Sequence, residues 1–151
     1  MGETPADYRR KVNRFNRWLL RLQKWGIPLG KVRILSTTGR HTGLPRRTPV
    51  GLIPRGDATF VTQAYPRAAW VANARNDNHA ILYHGRRAEN VRLVELPVDE
   101  RRELLREHLS DSPSRSGRLL VKTGLVDDPS PDAVAAAADG IAVFRVEPRD
   151  R

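Results

Sequence analysis

Two connections in this sequence are too short to be anything but hairpin turns, and they limit the fold more than any other feature. "PRGD" (54–57) separates the apolar runs at 46–53 and 58–63. "GRR" (85–87) separates "HAILYH" (79–84) from "NVRLVEL" (90–96). A crossover between parallel strands needs about a dozen residues or more, so these runs pair antiparallel. A strand at 31–37 precedes them and "IAVFRV" (141–146) closes the chain. Helical spacing marks 6–25, 67–77 and 97–109. A last helix follows Ser130 as N-cap and Pro131 as its first residue, and Gly140 stops it. Residues 110–131 are rich in Ser, Asp, Pro and Gly around one apolar island, "LLV" (119–121), and read as a mobile loop or lid. The prediction is an α+β fold: a small β-barrel of about six mainly antiparallel strands with flanking helices. The 151 residues suit a single domain over 1–151, and no repeat or boundary divides them.

Charge is the second constraint. From Tyr8 to Gly56 there are thirteen Lys/Arg and no Asp or Glu. The other 102 residues hold fourteen bases and seventeen acids, so the formal excess of +10 belongs to the first third. A preference for Arg over Lys (23 to 4) does not explain 49 residues without an acid. Such a field implies an anionic partner: phosphate, nucleic acid, anionic lipid or a polyacidic ligand. Part of it lies on an N-terminal basic amphipathic helix within 1–27. Its apolar stripe (Tyr8, Val12, Phe15, Leu19, Leu22) runs beside Arg14, Arg17, Arg21 and Lys24. That pattern fits peripheral contact with an anionic membrane, or a helix covering one face of the domain. With no cysteine, disulfides and thiolate chemistry are excluded. No apolar run approaches the roughly 20 residues of a membrane span, and nothing resembles a signal peptide. The expected location is cytoplasmic, with peripheral contact at the inner face of the membrane as its extension.

The rest of the charge gathers in "STTGRHTGLPRRTP" (36–49). Gly39 and Gly43 bracket a tight tip where backbone N–H groups can turn outward around an anion. Arg40 and Arg46 stand at its two ends, where guanidinium forks can converge on one phosphate. Pro45 and Pro49 stiffen the return strand. An ordinary Gly/Pro turn with solvated arginines has the same composition. Nucleic acid is disfavoured, because no aromatics interleave with these arginines for base stacking. No nucleophile elbow, zinc-protease helix or Walker loop is present. His79 and His84, five apart on one strand, face opposite ways and cannot share a metal. No metal site is expected.

The residues "LSTTGRHTGLPRRTPVGLI" (35–53) resemble the signature T-T-G-R-[KR]-[ST]-G-x-P-R-x-x-P of the deazaflavin-dependent nitroreductase family. "WVANARND" (70–77) is similar to the W-V-x-N helix that follows in that family, and the order of elements agrees along nearly the whole chain. The resemblance implies a split β-barrel oxidoreductase using the 8-hydroxy-5-deazaflavin coenzyme (coenzyme F-420), with flavin mononucleotide as the second choice. It implies that Thr38, Gly39, Arg40, Thr42, Gly43, Arg46, Arg47 and Pro49 surround the coenzyme's phosphate and acidic tail. His41 replaces the usual Lys or Arg and removes one fixed charge there. Thr62, Gln63 and Ala64 would lie along the ring, with Trp70, Val71 and Asn73 beside it. Hydride chemistry resides in the coenzyme, so no catalytic side chain is expected. The partner is a small hydride acceptor (a quinone, an enone or a nitro compound) met by Tyr65 and Tyr83. Two further readings stay open: a carrier of the coenzyme or of an apolar ligand without turnover, and a basic binder of nucleic acid or membrane surfaces.

Overall fold

A computed structural model of the chain describes residues 32–64, 66–111 and 115–149. The expected N-terminal helix, its membrane contact and Tyr65 lie outside the described residues. Six strands form a closed barrel: β1 (Val32–Thr38), β2 (Pro45–Arg55), β3 (Ala58–Thr62), β4 (His79–His84), β5 (Arg87–Glu95) and β6 (Val143–Pro148). Their order around the barrel is β1-β2-β3-β6-β5-β4, and every pairing is antiparallel. Both short turns make the hairpins that their sequences require. Gly56 and Gly85 take φ of 56° and 59° there, a region open to glycine without strain.

Register decides what the barrel contains. Leu35 pairs with both Thr48 and Leu82, and Leu52 pairs with Val61. Opposed residues share a face. Together with Val91, Leu93 and Phe144 these leucines and valines fill the interior. Helix α1 (Ala69–Asn76) closes one mouth. Its Trp70 is buried and its ring lies 5.4 Å from that of Phe144, tilted by 54°. Outside the barrel, α2 (Val98–Asp111), α3 (Arg115–Thr123) and α4 (Pro131–Ala136) build a second apolar layer. Leu105, Leu109, Val134 and Ile141 are its buried centre, and Phe60 and Val143 face it from β3 and β6.

Residues 110–131, expected as loop, therefore contain a helix. Leu120 from the apolar island is buried in the second layer. Gly124 (φ 85°) ends α3, with Gly124 N–H donating to Val121 O at 3.1 Å and Leu125 N–H to Leu120 O at 3.0 Å. That paired pattern is a glycine-terminated C-cap. The flanking Ser, Asp and Pro residues masked the helix in the composition. Ser130 caps α4 as expected, accepting from Ala133 N–H at 3.2 Å. The last strand begins at Val143, two residues later than the apolar pattern suggested, because a short 3-10 turn (Ala138–Gly140) intervenes.

One ion pair fixes α1 against this frame. Arg75 near its C-terminus reaches Glu95 at the end of β5, with Nε 3.0 Å from Oε1 and Nη2 2.7 Å from Oε2. The buried Arg101 of α2 stands 4.0 Å from the same carboxylate and donates to Ile141 O at 3.3 Å. The Arg75 hydrogen bonds hold the Glu95 carboxyl below the usual carboxylate range, while partial burial opposes them. A depressed folded-state pKa stabilises above the unfolded-state value, about 4.3, and that contribution is lost as pH falls through the folded pKa. Arg75 is half-exposed, so solvent screening keeps the pair near about 1 kcal/mol. Glu95→Gln is expected to lower stability by about that much at neutral pH. Thermal unfolding of both proteins between neutral and acidic pH checks it. The gap should close on the acid side, and a gap independent of pH would mean that packing and not charge is lost.

Candidate functional site

The hairpin joining β1 to β2 ends beside the N-terminal half of α1, at the mouth that Trp70 closes. Gly39 and Gly43 permit its turn for different reasons. A Cβ at Gly39 would stand 2.7 Å from Thr42 Oγ1 and 3.1 Å from Leu44 O, so the loop closes onto the backbone there. Gly43 has φ of 69°, which disfavours a side chain on conformational grounds.

Four of the six N–H groups from Gly39 to Leu44 turn to partners within the loop or to its anchor on α1. Gly39 N–H donates to Leu44 O and Gly43 N–H to Gly39 O, both at 2.8 Å. Leu44 N–H donates to Thr42 Oγ1 at 3.2 Å, and Arg40 N–H to Asn73 Oδ1 at 3.1 Å. Four donors are thus consumed in shaping the loop. Any grip on an anion falls mainly to the guanidinium groups.

Asn73 is the anchor. It is 3% exposed. Its Oδ1 accepts from both the backbone and Nη1 of Arg40, each at 3.1 Å, and its Nδ2 donates to Thr37 Oγ1 at 3.3 Å. One side chain on α1 thereby fixes β1, the loop and one arginine. The expectation placed Asn73 against a ligand. Its polar atoms hold the loop, and the residue also lines the cleft beside it.

A cleft of about 410 Å³ opens between loop and helix. Arg40, Arg46 and Arg47 line it together with Gly39, His41, Thr42, Trp70 and Asn73, and among the described residues no acid does. Thr48 and Ala69 also line it and were not anticipated; neither carries a distinctive signal in the sequence. Arg47 leans away on the outer face. Its guanidinium carbon lies 4.7 Å from the centre of the Tyr83 ring and Nη2 is 3.5 Å from Tyr83 Oη.

A second cleft, about 350 Å³, lies on the other side of α1 and shares Arg40 with the first. Gln63 and Val71 line it, along with Ala68, Ala69 and Ala72 and the cations Arg67 and Arg75. Arg67 has φ of 55°, a left-handed conformation that is uncommon outside glycine. The Gln63 side chain accepts from Ala142 N–H at 3.1 Å, and Thr62 Oγ1 donates to Ala142 O at 3.3 Å. Both pin β3 to the start of β6. Thr38, Gly43, Pro49, Thr62 and Ala64 adjoin the clefts without lining either. Tyr83 is not brought to them. The pleat of β4 that turns Leu82 inward turns Tyr83 outward, and it borders a different cavity at the far end of the barrel. Among the described residues no group of His, Asp and Glu is arranged to hold a metal ion.

Residues 8–120 match the family model described as F-420H(2)-dependent quinone reductase. The chain belongs to that family. Coenzyme F-420 is the cofactor of that family, and the closed six-stranded barrel is its split-barrel frame. Solved structures agree on the fold. A protein of unknown function from Agrobacterium tumefaciens aligns with TM-score 0.58 at 12% identity, over 80% of this chain and 49% of its own. The chain thus spans about half the length of that protein. A putative pyridoxamine 5'-phosphate oxidase from Listeria innocua aligns with TM-score 0.52 at 12% identity, over 89% and 93%. An F-420-H2 dependent reductase aligns with TM-score 0.52 at 18% identity, over 78% and 95%. At these identities the likeness concerns the fold alone. No curated protein sequence matches the chain. Among the described residues no helix is long and apolar enough to cross a membrane.

The residues fit the coenzyme that the family implies. Three guanidinium groups without an acid suit its phosphate and carboxylates, and the adjoining cleft has the small apolar side chains on which a flat ring can lie. The anchoring role of Asn73 is separable from charge. Asn73→Ala is expected to reduce stability by about 1–3 kcal/mol and to speed hydrogen exchange at Arg40–Leu44, because it strands buried partners. Asn73→Asp keeps the acceptor for Arg40, and the Thr37 hydroxyl can donate to it. Its stability should stay closer to the parent's, while its carboxylate offsets the Arg40 charge and weakens anion binding. Calorimetry, hydrogen exchange and coenzyme titration of the two variants check this.

Proposed function

We propose that this chain transfers a hydride from reduced coenzyme F-420 to a small electron-poor acceptor, quinones foremost and enone or nitro compounds after them. One observation carries the reading: the two contiguous clefts around α1, one cationic and acid-free, the other floored by small apolar residues and joined to the first through Arg40. Arg40 and Arg46 hold the phosphate, with Arg40 pre-set by Asn73. Arg47 and His41 face the more distant carboxylates. Ala68, Ala69, Val71 and Ala72 support the ring. Arg67 sets a positive charge beside it, in a backbone conformation that costs roughly 1–2 kcal/mol. Trp70 and Phe144 seal the barrel behind the site and keep water from that side. The reduced deazaflavin supplies the hydride. What the protein contributes is position, exclusion of water and an open face for the acceptor. A carrier without turnover would use the same clefts, and flavin mononucleotide offers a similar phosphate and ring.

Titration with oxidised coenzyme F-420 and with flavin mononucleotide, followed by fluorescence, tests the site. Micromolar or tighter binding is expected for the deazaflavin, and at least about tenfold weaker binding for the flavin. Equal affinity for both would remove the coenzyme assignment. Arg46→Ala should weaken binding by roughly ten- to a hundredfold, the worth of a charge-assisted hydrogen-bond pair. Arg46→Lys should restore part of it, since an ammonium lacks the planar fork. Arg86, exposed in the β4–β5 turn, should tolerate Ala with little change. Mixing the reduced complex with a water-soluble quinone should then oxidise the coenzyme over many turnovers. Tight binding without oxidation would leave the carrier reading.

A further inference from the structure

The far mouth of the barrel holds a larger cavity, about 710 Å³, and none of its lining residues is shared with the clefts around α1. Its floor is the underside of the apolar core: Leu52, Leu82 and Val146. Its wall carries a row of bases. The β4–β5 register sets His84 across from Arg87. The β1–β4 register sets Ile34 across from Tyr83, so one step further along the same ladder Arg33 stands across from His84. Arg33 and His84 lie two residues from Leu35 and Leu82, an opposed pair within the core. Side chains alternate along a strand, so the row Arg33–His84–Arg87 faces inward with them. All three line the cavity.

An inward position of a small barrel normally carries an apolar filler. Two acids share the cavity. Glu89 is the next inward residue of β5, across from Leu82. Asp57 sits in the β2–β3 turn, on the opposite arc. The arc made by β1, β4 and β5 is therefore mainly basic above an apolar floor. We propose that this mouth binds a small amphipathic anion. Its apolar body rests on Leu52, Leu82 and Val146, and a single carboxylate-like head lies against Arg33, His84 and Arg87. Guanidinium groups match a carboxylate two oxygens at a time. The volume lies in the range of ordinary ligand pockets, about 300–1,000 Å³. This site stands apart from the hydride chemistry and does not depend on it.

Two amphiphiles of equal chain length and opposite head test the proposal: decanoate and decyltrimethylammonium, each kept below its micelle concentration. They are titrated into the isotope-labelled full chain and followed by NMR. Decanoate should give saturable shifts at the amides of Leu82, His84, Arg87 and Val146. Decyltrimethylammonium should bind at least about tenfold more weakly. Arg87→Glu, at an exposed position, should weaken decanoate by a similar factor, and Arg33→Glu should do so independently. Three results would overturn the proposal: equal affinity for the two amphiphiles, decanoate shifts confined to residues around α1, or full affinity retained by both variants.

Discussion

The site depends on a neutral side chain holding a charged one. Asn73 accepts two hydrogen bonds from Arg40 and spends its own donor on Thr37, all from a buried position on α1. A carboxylate there would orient Arg40 just as well and would offset its charge. An amide leaves the full positive charge to face the cleft. The arrangement separates two demands that usually conflict: fixing a flexible cation, which lowers its entropy before binding, and keeping it available for an anion. It also makes the loop and the helix one mechanical unit, so the position of α1 bears directly on both clefts.

The barrel supplies the frame on which that unit rests. A closed sheet has no edges, so its variable parts collect at the two ends. At one end Trp70 and Phe144 close the interior, and the Arg75–Glu95 pair ties α1 to β5. At the other end the interior rows finish in ionisable residues. The helical layer on β3 and β6 leaves both ends open. It meets the site at Ala142, where Gln63 and Thr62 pin the end of β3, and at the Asp139–Gly140 turn that borders the second cleft. Helix packing thus reaches the clefts chiefly through backbone groups of Ala142.

What was legible in the sequence was local. The turns at Gly56 and Gly85, the cap at Ser130 and the cluster Gly39–Arg47 each depend on residues a few positions apart, and each was visible as written. What was not legible depends on register or on the fate of individual donors. Tyr83 was grouped with the site, but parity on β4 sends it outward once Leu82 is inside. Glycine spacing permits an anion nest, but which amides are left for it depends on the fold: those of Gly39, Arg40, Gly43 and Leu44 are taken within the loop and by Asn73. Nothing in "YPRAAW" announces the left-handed Arg67. Helix α3 was hidden by its flanks, although Gly124, which terminates it, stood in plain view.

The uncompensated charge of the first third of the chain then has a physical account. Gathering Arg40, Arg46 and Arg47 at one cleft raises the energy of the protein alone, since like charges repel across a few ångströms of partly excluded solvent. Among the described residues no acid lines the cleft. Placing an acid there would stabilise the empty protein and weaken the bound state by the same interaction. An acid-free lining around Arg40, Arg46 and Arg47 is what binding an anion there would require, and the loss is offset elsewhere by the barrel core and the helical layer. For a cofactor that brings its own hydride, this is the main electrostatic work left to the protein. Under the proposed function the arginines would select and hold the carrier, and the reactivity at its ring would need no side chain to initiate it.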